Sequence, residues 1–210
     1  MSDELQLIET MRWTGSVRLL GYHLARLGAS AEALGFGMDR PAIRRAIEAC
    51  IPQEDPDSPM RLRLLLDRDG RVSCTASALT DPPAGPVRLH LARSVHLDPA
   101  SGLSVHKTTR RAIYDAAWAE AQAAGCGEAL LMDVEGRVCE GSRTNLFVRL
   151  GSRVFTPPRS AGILPGVYRS YLIKKHPGIV ERDLYPNDLA RADALYVTNA
   201  VWGVRLAISD

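Results

Sequence analysis

Apolar positions alternate with polar ones from the start of the chain. "LQLIETMRW" (5–13) and "SVRLL" (16–20) have the period of two strands, with a Thr14-Gly15 turn between them. The period then lengthens. Leu24, Leu27, Ala31 and Leu34 in "GYHLARLGASAEALGF" fall at helical spacing, and Gly35 and Gly37 supply the stop. "MDRPAIRRAIEACI" predicts a second amphipathic helix, with Asp39 as cap and Pro41 in the first turn. "MRLRLLLDR", "RVSCTAS" and "VRLHLAR" return to strand patterning, the first two joined by a "DRDG" turn.

"HLDPASGLS" (96–104) breaks this regularity with Pro, Gly and Ser, and it reads as a linker. After it, "TTRRAIYDAAWAEAQAAG" predicts a helix capped by a threonine and ended by Gly125. "EALLMD", "RVCEG", "NLFVRL" and "RVFT" predict strands, "GVYRSYLIKKH" a helix, and "DALYVTNA" and "GVRLAI" two closing strands. The pattern predicts an α+β chain of two lobes. The first is a small lobe over 1–97, the linker covers 98–104, and the second lobe covers 105–210. No internal repeat or low-complexity tract is present.

Composition removes several classes of function. A net charge of +2 gives no reason to expect nucleic acid or an anionic membrane as partner. No apolar run approaches the roughly 18 residues of a spanning helix. The acidic "MSDELQLIET" lacks the basic-then-apolar layout of a signal peptide, which points to the cytoplasm. Cys50, Cys74, Cys126 and Cys139 form no C-x-x-C pair and have no His at metal-ligand spacing, so reduced thiols and no metal are expected.

Three stretches carry candidate chemistry. Lys107 ends the linker in "VHKTTRR", beside His106. "GILPGVYRS" opens a helix at Pro165-Gly166, so the amides of Val167 and Tyr168 are placed to bind a phosphate. Glu140 stands where a strand meets the Gly-Ser turn of "RVCEGSRTNLF". Taken singly, each has an ordinary reading: a solvated lysine, a loop-to-helix junction, a turn cap. One cofactor requires all three. Pyridoxal phosphate needs a lysine, a phosphate cup, and an anion that keeps its pyridine nitrogen protonated.

With those residues in view, the chain resembles the class IV aminotransferases, the fold-type-IV pyridoxal-phosphate enzymes. "HK" with its following helix, "EGSRTNLF" and "TPPRSAGILPGVYR" match in order, as do "HLARLGASA" and "LYVTNAVWGVR". The resemblance implies a D-amino acid aminotransferase-like fold, with a small N-terminal α+β lobe and a larger C-terminal α/β lobe. It implies Lys107 as the Schiff-base lysine, Glu140 as the pyridine-nitrogen partner and Arg26 as the arginine that reaches the phosphate. It implies the backbone of Gly166, Val167 and Tyr168 at the phosphate, Leu164 packed on the ring, Thr198 and Asn199 closing the phosphate side, and Asn145 beside the acid.

Three activities are typical of the family: branched-chain transamination, D-amino acid transamination, and lysis of 4-amino-4-deoxychorismate. "LIETMRW" and "HLARLGASAEALGF" look most like the lyases. Thr10 matches their site threonine, where branched-chain transaminases have glycine. "HKTTRRAIYDAA" lacks the Gly-Gly-Asn-Tyr run that follows the lysine in those transaminases. The expected reaction is therefore cleavage of 4-amino-4-deoxychorismate to 4-aminobenzoate and pyruvate, a step toward folate, with Lys107 as base. Transamination of branched-chain or D-amino acids is the alternative. A third is an inactive cofactor-binding relative. A homodimer and a functional link to a chorismate-using synthase are also implied. Two departures stand out. Many members carry about one more strand pair before "LQLIETM", so a reduced edge of the small lobe is expected. Ala200 replaces a threonine that anchors the phosphate in branched-chain enzymes.

Overall fold

In the computed structural model, residues 4–52, 55 and 58–210 are described. The chain divides into two compact units. Unit 1 comprises residues 1–82 and 106–110, and unit 2 comprises 83–105 and 111–210.

Unit 1 is a three-stranded antiparallel sheet with two helices. The strands are β1 (Leu7–Trp13), β2 (Met60–Leu66) and β3 (Val72–Ala78), in that spatial order. Helices α1 (Leu20–Leu34) and α2 (Arg40–Ala49) supply the apolar residues that cover one sheet face. Leu7 and Met11 of β1 and Leu62, Leu64 and Leu66 of β2 pack there with Leu24, Leu27, Ile43 and Ile47. The expected strand at 16–20 does not form. Trp13 and Val17 make one isolated bridge, and Leu19 adopts a left-handed φ of 61° just before α1 begins. The alternation there reflects a tight reversal into the helix.

The segment after the linker joins this unit. Thr108 bridges Leu7 antiparallel, the Ile8 amide donates to the Lys107 carbonyl (2.8 Å), and the Thr109 amide donates to the Gln6 carbonyl (3.0 Å). These bonds hold residues 107–109 extended against β1. They also move the next helix, α3 (Ala112–Ala123), so that it starts after Arg111 and not at the threonines that were expected to cap it.

Unit 2 is built on an eight-stranded mixed sheet. Its strands are β4 (Val87–Leu91), β5 (Glu128–Met132), β6 (Val138–Gly141), β7 (Asn145–Leu150), β8 (Arg153–Thr156), β9 (Ile179–Glu181), β10 (Ala194–Asn199) and β11 (Gly203–Ser209). They are ordered β6-β5-β4-β11-β10-β7-β8-β9. "VRLHL" was expected in the first lobe. As β4 it instead pairs parallel with both β5 and β11, which moves the division between the lobes from residue 97 to about residue 82. Two cores flank the sheet. Ala129, Leu131 and Cys139 pack with Ala117 and Ala121 of α3, while Leu89, Leu130, Val138, Leu146 and Val197 form the second. Helix α4 (Val167–Lys175) and the short α5 (Pro186–Ala190) complete the unit. All four cysteines are free thiols. Among the described residues no helix is long and apolar enough to cross a membrane.

Candidate active site

Unit 2 gathers most of the expected residues around one carboxylate. Glu140 sits at the end of β6 and is only 3% exposed. It accepts hydrogen bonds from Tyr114 Oη, Asn145 Nδ2 and the Leu164 amide, each at 3.0 Å. Asn145 Nδ2 also donates to the Leu164 carbonyl at 3.0 Å, so the strand acid, the β7 start and the 162–166 loop are tied together. Tyr114 comes from α3. Burial and then the charge of Glu140 push its phenol well above its ordinary pKa, so it stays a donor. Burial likewise pushes the neighbouring Cys139 thiol up to about 12.

The helix start lies beside this cluster. Gly166 precedes α4 and packs so close to Asn145 that a Cβ there would lie 1.8 Å from Oδ1. Only glycine fits. Val167 and Tyr168 then form the first turn, whose amides point outward along the axis. Thr198 on β10 is paired directly with Asn145 of β7. It is 1% exposed, and its Oγ1 has no hydrogen-bond partner among the described residues. Asn199 follows it at the strand end. Its Oδ1 accepts from the Val201 and Trp202 amides (3.0 and 2.9 Å), and strand alternation turns it to the face opposite Thr198. Its side chain caps the β10–β11 turn. Leu164 contributes through its backbone as described, in addition to any packing of its half-buried side chain.

Unit 1 holds the other expected residues. The bridge register sets Lys107 opposite Ile8, on the sheet face that carries Thr10. His106 falls on the other face, where its Nδ1 lies 2.9 Å from Ser30 Oγ of α1, so it serves packing. Arg26 of α1 is held by a residue that motif reading passed over. Glu9, 2% exposed on β1, accepts from Arg26 Nε (2.9 Å) and Nη2 (2.6 Å) and lies 2.6 Å from His23 Nδ1. Burial alone would raise the Glu9 carboxyl, but the charge of Arg26 and the contact with His23 lower it to about 2. Arg26 Nη1 has no hydrogen-bond partner among the described residues. Glu9 and His23 left a trace in the sequence. Glu9 is a charge at a core-facing position between Leu7 and Met11, and His23 and Arg26 are one helical turn apart.

The family model described as amino-transferase class IV matches residues 6–208. The chain belongs to the class IV aminotransferases. A solved structure from Mesorhizobium loti, provisionally named an amino-acid aminotransferase, is 34% identical with a TM-score of 0.92, covering 99% of this chain and 100% of that one. A Schizosaccharomyces pombe protein, provisionally named an aminodeoxychorismate lyase, is 28% identical over 180 residues, 82% of this chain and 74% of that one. A Methanocaldococcus jannaschii protein, provisionally named a branched-chain-amino-acid aminotransferase, is 41% identical over 83 residues, 38% of this chain and 29% of its own length. This class IV chain is thus an enzyme of a pyridoxal-phosphate family, with the mixed α+β, two-sheet fold of fold type IV. Lyase-named and aminotransferase-named proteins both occur among its relatives.

Proposed function

We propose that the chain binds pyridoxal phosphate and cleaves 4-amino-4-deoxychorismate to 4-aminobenzoate and pyruvate. The observation that carries the reading is the Glu140 constellation: a buried carboxylate that accepts from Tyr114, Asn145 and the Leu164 amide, next to a helix start and an unsatisfied buried hydroxyl. These residues fit the cofactor. Thr198 Oγ1 and the first-turn amides of α4 suit the phosphate, and Gly166 keeps that approach clear of a side chain. In unit 1, Arg26, oriented by Glu9 through two of its nitrogens, is our candidate for the arginine that reaches the phosphate.

When bound, the cofactor supplies an electron sink that makes the carbon beside the substrate nitrogen acidic. Glu140 keeps the ring nitrogen protonated. Tyr114, Asn145 and the Leu164 amide orient Glu140 and satisfy its oxygens. Lys107 Nζ removes the proton from that carbon, and Lys107 or a water returns one to the departing enolpyruvyl group as pyruvate. Thr10, on the sheet face of Lys107, orients the substrate with a hydroxyl. The similarity to the S. pombe protein supports lysis. The full-length similarity to the M. loti protein favours a second reading, an aminotransferase using the same residues. A homodimer is also proposed. Val204, Leu206 and Ile208, 44–50% exposed on one face of β11, support a covered surface there, and sedimentation measures it.

Product assays decide between the two reactions. Lysis requires equal amounts of pyruvate and 4-aminobenzoate. Intact aminodeoxychorismate, with an amino acid consumed against a keto acid at about 1 s⁻¹ or faster, establishes the aminotransferase instead. Under lysis, Thr10→Gly lowers product release more than any side transamination. The sequence has three lysines, so borohydride reduction and peptide mapping give a clear answer. The pyridoxyl label is expected on Lys107, and a label on Lys174 or Lys175 would refute that assignment.

A further inference from the structure

Glu128 is a third buried carboxylate, 2% exposed, that the proposed chemistry leaves unused. It opens β5 and takes four hydrogen bonds. Oε1 accepts from Ser142 Oγ (2.5 Å) and the Ala129 amide (2.9 Å). Oε2 accepts from Thr144 Oγ1 (2.8 Å) and the Arg143 amide (3.3 Å). Three of these donors belong to residues 142–144, the whole connection between Gly141 and Asn145. The packing is tight, since a Cβ on Gly141 would lie 2.2 Å from Thr144 Oγ1 and 3.0 Å from Glu128 Cδ. Backbone bonds clamp the same turn. The Gly141 amide donates to the Thr144 carbonyl (2.8 Å), the Ser142 amide to the Ala129 carbonyl (2.9 Å), and Arg111 Nη2 to the Ser142 carbonyl (2.8 Å).

A tight turn does not need a buried carboxylate, and burying one is unfavourable unless its oxygens are used. Here they are used by the residues that separate Glu140 from Asn145. We infer that Glu128 is a positioning residue: its carboxylate fixes the 141–144 turn, and the turn fixes Glu140 and its partner Asn145 relative to one another. This rests on the reading of Glu140 as the ring-nitrogen partner. Glu128 touches none of the reacting atoms and acts through the turn alone. In Glu128→Gln the amide NH2 replaces an acceptor that faces two donors, so the turn loosens without a change in side-chain size.

The test uses Glu128→Gln and the double variant Ser142→Ala/Thr144→Val, which keeps Glu128 and removes two of its donors. Two readouts need no substrate, so they do not depend on the lyase assignment. The first is Trp118 emission in the full chain without cofactor, isolated by subtracting the Trp118→Phe background. The Arg143 guanidinium lies 3.7 Å from the centre of the Trp118 ring, so a moved turn alters that emission. The second is the pH dependence of the visible band of the holoenzyme, which reports the charge facing the ring nitrogen. With a cooperative melt retained, both variants are expected to change the emission, shift the band titration, and lower kcat roughly tenfold with KM within about twofold. Unchanged emission and band in both variants, or a change confined to melting temperature, overturns the inference. A band insensitive to Glu140→Gln itself overturns instead the reading of Glu140.

Discussion

Glu9 and Glu140 are nearly equally buried carboxylates with opposite company. Glu9 in unit 1 faces a guanidinium and an imidazole, which hold its pKa near 2. Glu140 in unit 2 accepts from a phenol, an amide side chain and a backbone amide. A carboxylate matched to a fixed cation has its charge committed and orients that cation. One that accepts from a helix tyrosine, a strand asparagine and a loop amide is held in a fixed direction by three separate segments.

Removing each charge separately tests that difference. Glu9→Gln is expected to have the largest energetic effect, because it leaves the half-buried Arg26 and the buried His23 beside a neutral group. A stability loss of about 3–5 kcal/mol is expected by urea denaturation, together with weaker cofactor binding. The pH dependence has a defined sign. The folded carboxyl titrates near 2 and the ordinary value is 4.5, so the folded chain binds this proton more weakly than the unfolded chain. The stabilisation is fully present above about pH 4.5 and is lost as pH falls toward 2, and Glu9→Gln should flatten that part of the profile.

Glu140→Gln comes next. It is expected to lower turnover about a hundredfold while changing urea stability far less than Glu9→Gln does. Equal stability losses in the two variants would erase the distinction between them. Tyr114→Phe is the smallest change, removing one neutral donor. A decrease in kcat/KM of roughly two- to tenfold is expected, matching a hydrogen bond of about 0.5–1.5 kcal/mol, with the fold intact by circular dichroism.

Local patterning made much of this legible. The strand at 138–141, the helix after Pro165 and the stretch around Lys107 are read from period and turn residues, and resemblance supplied candidate roles for Lys107, Glu140 and Arg26. Partners distant in sequence were harder to see. Tyr114 looks like any aromatic residue on an amphipathic helix, because helical spacing says nothing of a carboxylate 26 residues away. "VRLHL" alternates identically whichever sheet it joins, and only its parallel pairing with β5 and β11 decides. Glu128 begins a strand read as apolar, and its importance comes from a turn 14 to 16 residues later. Conversely, "SVRLL" had the period of a strand but lacked room for one between Gly15 and the helix that starts at Leu20.

The order in which the chain is synthesised acquires significance from residues 106–110. They belong to unit 1 although 23 residues of unit 2 precede them. On the ribosome, the first 82 residues can collapse around α1 and α2, yet the second edge of β1, bridged at Trp13 by Val17, gains its partner at Leu7 only once Thr108 has emerged. The contact between Leu7 and Thr108 spans about half the chain and carries a correspondingly large loop-closure cost. The segment that bears Lys107 is therefore the last part of unit 1 to be made. Seating it completes the small sheet and sets the lysine on the face of Thr10 in one event, so a nascent chain shorter than this cannot present both.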